Sequence, residues 1–191
     1  MEAIDPERRH RLWLASLDRL SPPRQIPNVQ GEHPLYGVSG EIFFRAGEWP
    51  SFFVYSVRED GTGLRKAIEQ PIRSIRGRSP EGQWLLIWAT ITSEEAGATQ
   101  AFPVGGGHPV RVYSNDARLK WSLDGRAVFF SVGGVDVMGS GAAGRTYVIP
   151  LPPGRVLPEI PAGGFRSEAE IGKLPGVRVI DSPDVAPWPD A

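Results

Sequence analysis

Three histidines, His10, His33 and His108, are the imidazoles that could ligate a metal or carry a proton near neutral pH. A metal site needs several ligands converging on one point. His10 sits in a charged N-terminal run, while His33 and His108 each precede a proline in separate loop contexts. They are read as solvent-facing loop residues, and no metal site is expected. A serine held in a nucleophile elbow needs a strained turn between spaced glycines. Ser140 has Met138 two residues before it, and Ser39, in Gly37-Val38-Ser39-Gly40, lacks the second spaced glycine. Gly105-Gly106-Gly107 and Gly139-Ser140-Gly141 lack the Gly-Lys-Ser/Thr ending of a phosphate loop and open no obvious helix.

The carboxylates are equally unpromising for chemistry. Asp60-Gly61-Thr62-Gly63 lacks the further carboxylates and terminal glutamate of a calcium loop, so a hairpin turn is expected there. Glu94-Glu95 and Glu168/Glu170 are acidic pairs. Glycoside hydrolysis needs two carboxyls facing each other across a cleft. Turn and helix-cap roles account for these four, although spacing alone does not exclude that chemistry. No catalytic residue and no cofactor is therefore assigned. Tryptophan is the better binding signal, because an exposed indole is a common interface anchor. Trp13, Trp84, Trp88 and Trp121 fall in strand-like segments and are expected to pack between sheets. Trp49 and Trp188 flank prolines in loops, and with His108 they are the candidates for surface binding.

Composition narrows the partners. The net charge is -1, which gives no general attraction for nucleic acid or an anionic membrane. There is no cysteine, so disulfides and thiolate metal sites are excluded. The compartment stays open on that evidence. No apolar run approaches the roughly 20 residues of a membrane-spanning helix, and the charged stretch Met1 to Arg11 has no signal-peptide core. Gly (23) and Pro (19) exceed a fifth of the 191 residues, which suits many short strands joined by tight turns.

What positions these residues is a repeat. Gly37-Val38-Ser39-Gly40, Ser79-Pro80-Glu81-Gly82 and Ser122-Leu123-Asp124-Gly125 each precede an apolar, β-prone run. Their last glycines, at 40, 82 and 125, are 42 and 43 residues apart, the length of one propeller blade. A second motif keeps the same order: Phe52–Val57, Thr99–Val104 and Thr146–Leu151 each run into a Gly- or Pro-rich turn, with an earlier copy at Leu12–Leu17. The middle unit, 72–113, reads as strand a at Ile72–Arg76, b at Trp84–Thr90, c at Thr99–Val104 and d at Val110–Tyr113. Strand b, Trp84 to Ala89, is almost continuously apolar, as in a strand buried on both faces.

The flanking units cover 35–68 and 118–158, and a half unit at 12–27 supplies strands c and d alone. Ser167-Glu168-Ala169-Glu170 is a capping box that should open a short helix ended by Pro175-Gly176. Val177–Ile180 then reads as strand a of a further, incomplete blade within 159–191. The expectation is an all-β, partial β-propeller of four-stranded antiparallel blades, with three full blades, part-blades and one C-terminal helix. Closed propellers have roughly four to eight blades, so a fragment of a larger propeller is expected. A four-bladed ring lacking one strand is the alternative.

Ser79-Pro80-Glu81-Gly82-Gln83-Trp84-Leu85 resembles the Ser-Pro-Asp-Gly-Lys signature of TolB-like (WD-like) β-propeller repeats. Phe53–Arg65, with its Asp60-Gly61-Thr62-Gly63 turn, resembles the strand and turn that follow in that family. The resemblance runs from Leu12 to Pro158. Gly40 after Val-Ser, Leu123 in place of proline, and the insert at Gly133–Gly144 depart from the pattern. The tail Ile149–Gly154 and Ile160–Phe165 is similar to propellers fused to bacterial serine/threonine kinases. The resemblance implies a non-catalytic binding or sensing scaffold in a periplasmic or extracytoplasmic setting. It would use its loops to hold a protein or peptide, or join the rest of its own propeller; the charge balance and the lack of a long apolar run separately argue for no nucleic-acid partner and no membrane segment. Accessory propellers of prolyl-oligopeptidase-like hydrolases and carbohydrate-active propellers are the alternatives.

Overall fold

The computed structural model describes residues 2–4, 10–18, 20–89, 97–132 and 145–180. Strands β1 (Glu2–Ile4), β2 (His10–Leu14) and β3 (Arg24–Gln30) form the first antiparallel sheet. A continuous antiparallel ladder then joins β4 (Glu32–Tyr36), β5 (Glu41–Glu48), β6 (Ser51–Arg58), β7 (Arg65–Arg78), β8 (Trp84–Ala89), β9 (Ala98–Pro103) and β10 (Val110–Tyr113). The last sheet comprises β11 (Ala117–Trp121), β12 (Ala127–Val132), β13 (Arg145–Pro150) and β14 (Arg178–Ile180), with helix α1 (Glu168–Ile171) before its final strand.

The seven-stranded ladder is two blades sharing one strand. The first half of β7 pairs with β6, from Arg65↔Ser56 to Ile72↔Phe52. The second half pairs with β8, from Ile72↔Ala89 to Arg78↔Leu85. Between Ile68 and Ile72 the register slips, because that stretch of β7 lies opposite only Phe52–Val54. Pro71, which has no N–H to donate, falls in this bulge, where the ladder makes no demand on it.

Side-chain alternation shows how the sheets stack. Ile42 and Phe44 on β5 pack back onto Leu12, Ile26 and Val29 of the first sheet. Their neighbour Phe43 points the other way, into a core with Val54, Ile68, Ile72, Leu85 and Ile87. On β8, Leu85 and Ile87 face this second core, while Leu86 faces a third with Val112, Leu119, Val128 and Phe130. A strand with a period of two and apolar residues on both faces can satisfy two cores at once. Four blades in chain order, each pressed on the one before, make an all-β partial propeller with one short helix.

The turns explain the repeat. Ser79 N–H donates to the Trp84 carbonyl (2.9 Å) and Ser79 Oγ accepts the Trp84 N–H (3.1 Å). Ser122 does the same with Ala127, at 2.9 Å for both bonds. Gly82 and Gly125 close these turns at φ 67° and 68° and Gly40 its own at 76°, in the left-handed region that favours glycine.

Three expectations need correction. The N-terminal unit has three strands, because β1 pairs with β2 (Glu2↔Leu12). A three-residue strand is too short to show periodicity. Arg178–Ile180 is the fourth strand of the last sheet, antiparallel to β13, and starts no new blade. Pro152, Pro153 and Pro158 leave the stretch after Leu151 unable to form a ladder, so the chain detours before supplying that strand. On the way Phe165 bridges parallel to Tyr113, donating its N–H to the Val112 carbonyl at 3.0 Å. The helix is one turn, not a run to Pro175-Gly176. Ser167 makes no side-chain cap bond, and the Glu170 carboxylate accepts the Arg166 N–H instead, at 2.8 Å.

The join between β3 and β4 is a single residue, Gly31. A Cβ there would sit 2.2 Å from the Phe44 ring and 2.8 Å from the Arg45 carbonyl oxygen. At Gly40, with positive φ, an added Cβ meets nothing within 4 Å. Gly40→Ala should therefore cost about 1–2 kcal/mol for its backbone alone. Gly31→Ala should cost about 2–4 kcal/mol, because it forces the Phe44 ring out of a packed core. Urea unfolding of both variants measures the difference, and equal losses would contradict this packing.

Candidate binding site at the inner edge of the blades

The innermost strand of each successive blade is β4, the second half of β7, or β11. On β11, Ala117 and Leu119 enter the third core, which leaves Arg118 and Lys120 on the opposite face. On β7, the run Arg73-Ser74-Ile75-Arg76-Gly77-Arg78 brings three cations to the same edge. Pairing with β8 and β12 holds these inner strands in place.

A charged chain links them. Arg45 Nη2 donates to Glu32 Oε1 at 2.6 Å, and Arg45 Nη1 donates to the Arg73 carbonyl. The Arg45 guanidinium lies 4.4 Å from the centroid of the Phe52 ring. The guanidiniums of Arg73 and Arg76 lie 5.2 and 5.1 Å from the Trp88 ring. Arg76 Nη2 donates to Asp116 Oδ2 at 2.5 Å. Arg78 Nε donates to the Tyr36 carbonyl at 2.5 Å, tying β7 to β4. Within this cluster, among the described residues, Arg45 pairs with Glu32 and Arg76 with Asp116, Arg118 acts electrostatically on Asp116, and Arg73 lies by the Trp88 ring.

Burial makes the arrangement costly. It raises the Asp116 carboxyl above its ordinary value, against the pull of Arg76 and Arg118. It also lowers Arg76, helped by Arg118 and opposed by Asp116. Lys120 is lowered by burial and then by Arg118. Arg45 Nε, Arg76 Nε, Asp116 Oδ1 and the Trp88 indole nitrogen are buried without a hydrogen bond to any described residue. Among the described residues, pairing therefore leaves more guanidiniums than carboxylates at this edge, although the chain as a whole is slightly acidic.

Trp49 sits in the β5–β6 hairpin, 76% exposed, with a cis bond to Pro50. In antiparallel blades that hairpin shares an end with the β7 crossover and the β10–β11 connection carrying Asp116. His108 is exposed in the β9–β10 connection, which lies at the opposite end. The structure thus separates Trp49 from His108, and Trp188 lies outside the described residues. So do Glu94, Glu95, Ser140 and the insert at Gly133–Gly144. His10 lies on β2 and His33 on β4, with His33 Nε2 3.8 Å from Glu32 Oε2. No group of three His, Cys, Asp or Glu able to hold a metal occurs among the described residues. Glu168 accepts the Tyr147 hydroxyl at 2.8 Å, and Asp60 accepts the Thr62 N–H at 2.9 Å within its turn. Trp84 and Trp121 pack against the third core, whereas Trp88 lies among the arginines.

Residue-by-residue reading missed the arginines, because a cation on a strand passes for a solvated one. The repeat did carry a signal. Arg76 and Arg118 are 42 residues apart, as are Arg78 and Lys120.

No protein-family model matches this chain, and no curated protein matches it. Among solved structures it is similar to the crystal structure of TolB from Acinetobacter baumannii, with 15% sequence identity and a TM-score of 0.59. The match covers 78% of this chain and 37% of that one, so the chain spans little more than a third of that structure's length. At this identity the likeness is one of fold, a TolB-like β-propeller at the coarse level.

The raised Asp116 carboxyl has a signed consequence. It takes up a proton more readily folded than unfolded, so acidification favours the folded state through this group. The gain accrues between its raised value and the ordinary 3.8. Relative to Asp116→Asn, which has no such proton, the wild-type chain should gain stability from about pH 7 to about pH 4. Urea midpoints at both pH values check this, and a relative loss on acidification would refute it.

Proposed function

We propose that the chain is a non-catalytic binding scaffold. It presents the end of its blades that carries Trp49 and the inner arginines to a protein or peptide partner. The observation that carries this reading is the arginine-rich inner edge, beside a large exposed indole, on a fold of stacked blades. A 76% exposed Trp contributes little to the cores, whereas indoles and guanidiniums recur as interface anchors. The propeller likeness supports the scaffold role, since such folds offer rigid sheets with loops gathered at each end. Further blades, whether from the same polypeptide or another, form a second partner class on this reading.

Trp49→Ala should leave the thermal midpoint within about 1 °C, because the side chain is largely solvated. It should weaken partner capture about tenfold. Thermal melts check the first and quantitative affinity capture with the full chain, wild type against variant, the second. Capture indifferent to Trp49, or turnover on a hydrolase substrate panel, would count against the scaffold reading.

A further inference from the structure

Resting on that reading, we propose that the inner-edge cluster is a receptor for carboxylates, and that its occupant is an acidic peptide segment. The first ground is charge: among the described residues Arg45 pairs with Glu32 and Arg76 with Asp116, while Arg73 lies on the Trp88 ring and Arg118 stands beside the second pair, so guanidiniums outnumber the paired carboxylates there. The second is hydrogen bonding. Arg45 Nε and Arg76 Nε are buried without a partner among the described residues. Those two atoms are closed to an incoming ligand, so the groups left to meet a planar anion side by side are the guanidiniums of exposed Arg73 and half-buried Arg118. The third is preorganisation. Arg73 is exposed at its position on β7 and lies by the Trp88 ring. An aromatic face can fix the guanidinium plane and leave its edge to a ligand.

A peptide suits the site better than a nucleic acid. Glu32 and Asp116 lie between the arginines, and a backbone with a charge on every unit would press phosphates against them. An extended peptide alternates carboxylates with neutral amides, so it can place acid against Arg73 and Arg118 and amide N–H groups against the two carboxylates. Arg73 and Arg118 sit on the inner strands of successive blades, so more than one carboxylate of a single segment would be engaged.

The test uses the full chain and three labelled peptides of one length, alternating serine with glutamate, glutamine or lysine, read by fluorescence anisotropy. The glutamate peptide should bind, weaken with added salt, and outbind the other two by at least about tenfold. Arg73→Glu and Arg118→Glu should each cost about tenfold or more, while Arg126→Glu, in the β11–β12 turn at the far end, should cost little. Thermal melts confirm folding, and Arg73→Gln and Arg118→Gln replace any variant that fails to melt. Equal binding of the three peptides, indifference to both arginines, or tighter binding of oligouridylate would overturn the assignment. If no peptide binds while Trp49-dependent capture persists, the acidic ligand falls and the scaffold stands.

Discussion

Each sheet in this chain is one layer thick, and a single layer in water has two faces to hide. That constraint underlies the architecture. Ile42 and Phe44 go one way and Phe43 the other, and β8 repeats the pattern with Leu85, Ile87 and Leu86. Fully burying a large apolar side chain contributes on the order of 1.5–3 kcal/mol. No sheet collects that from both faces unless a neighbour stands on each side. Stacking is therefore the means by which each sheet is stable at all, and the loops inherit their positions from it.

The cores also explain why charge gathers where it does. Apolar side chains occupy the broad faces of the sheets, so polar groups are pushed to the edges and ends. At the inner edge successive strands converge, and water is scarcer than at an ordinary sheet margin. Arg45, Arg76 and Asp116 sit there with much of their charge desolvated. Ion pairs of this kind add little net stability, because desolvation offsets attraction.

The fold class was legible because its signals are local and repeated. Gly40, Gly82 and Gly125 mark turns that need positive φ, and the apolar run from Trp84 marks a strand with no wet face. What stayed hidden depended on distant partners. The last blade's fourth strand could not be read, because prolines after Ile149 send the chain away before Arg178 returns to β13. Ser167 looked like a helix cap, yet the Glu170 carboxylate turned to the Arg166 amide. The arginine cluster draws on β5 as well as the inner strands β4, β7 and β11, and no single stretch of sequence shows that Arg45 reaches Glu32 and Arg73 while Arg76 reaches Asp116.

Strand β7 makes the two central blades unlike independent modules. Where β3 passes to β4, one glycine separates strands that can part without unpairing each other. In β7 a continuous backbone serves as the rim of one blade and the hub of the next, meeting both at Ile72. Peeling away the rim strips the following blade of its hub strand. The middle of the molecule should accordingly open and close as a single cooperative block of two sheets, with fraying confined to the outlying ones.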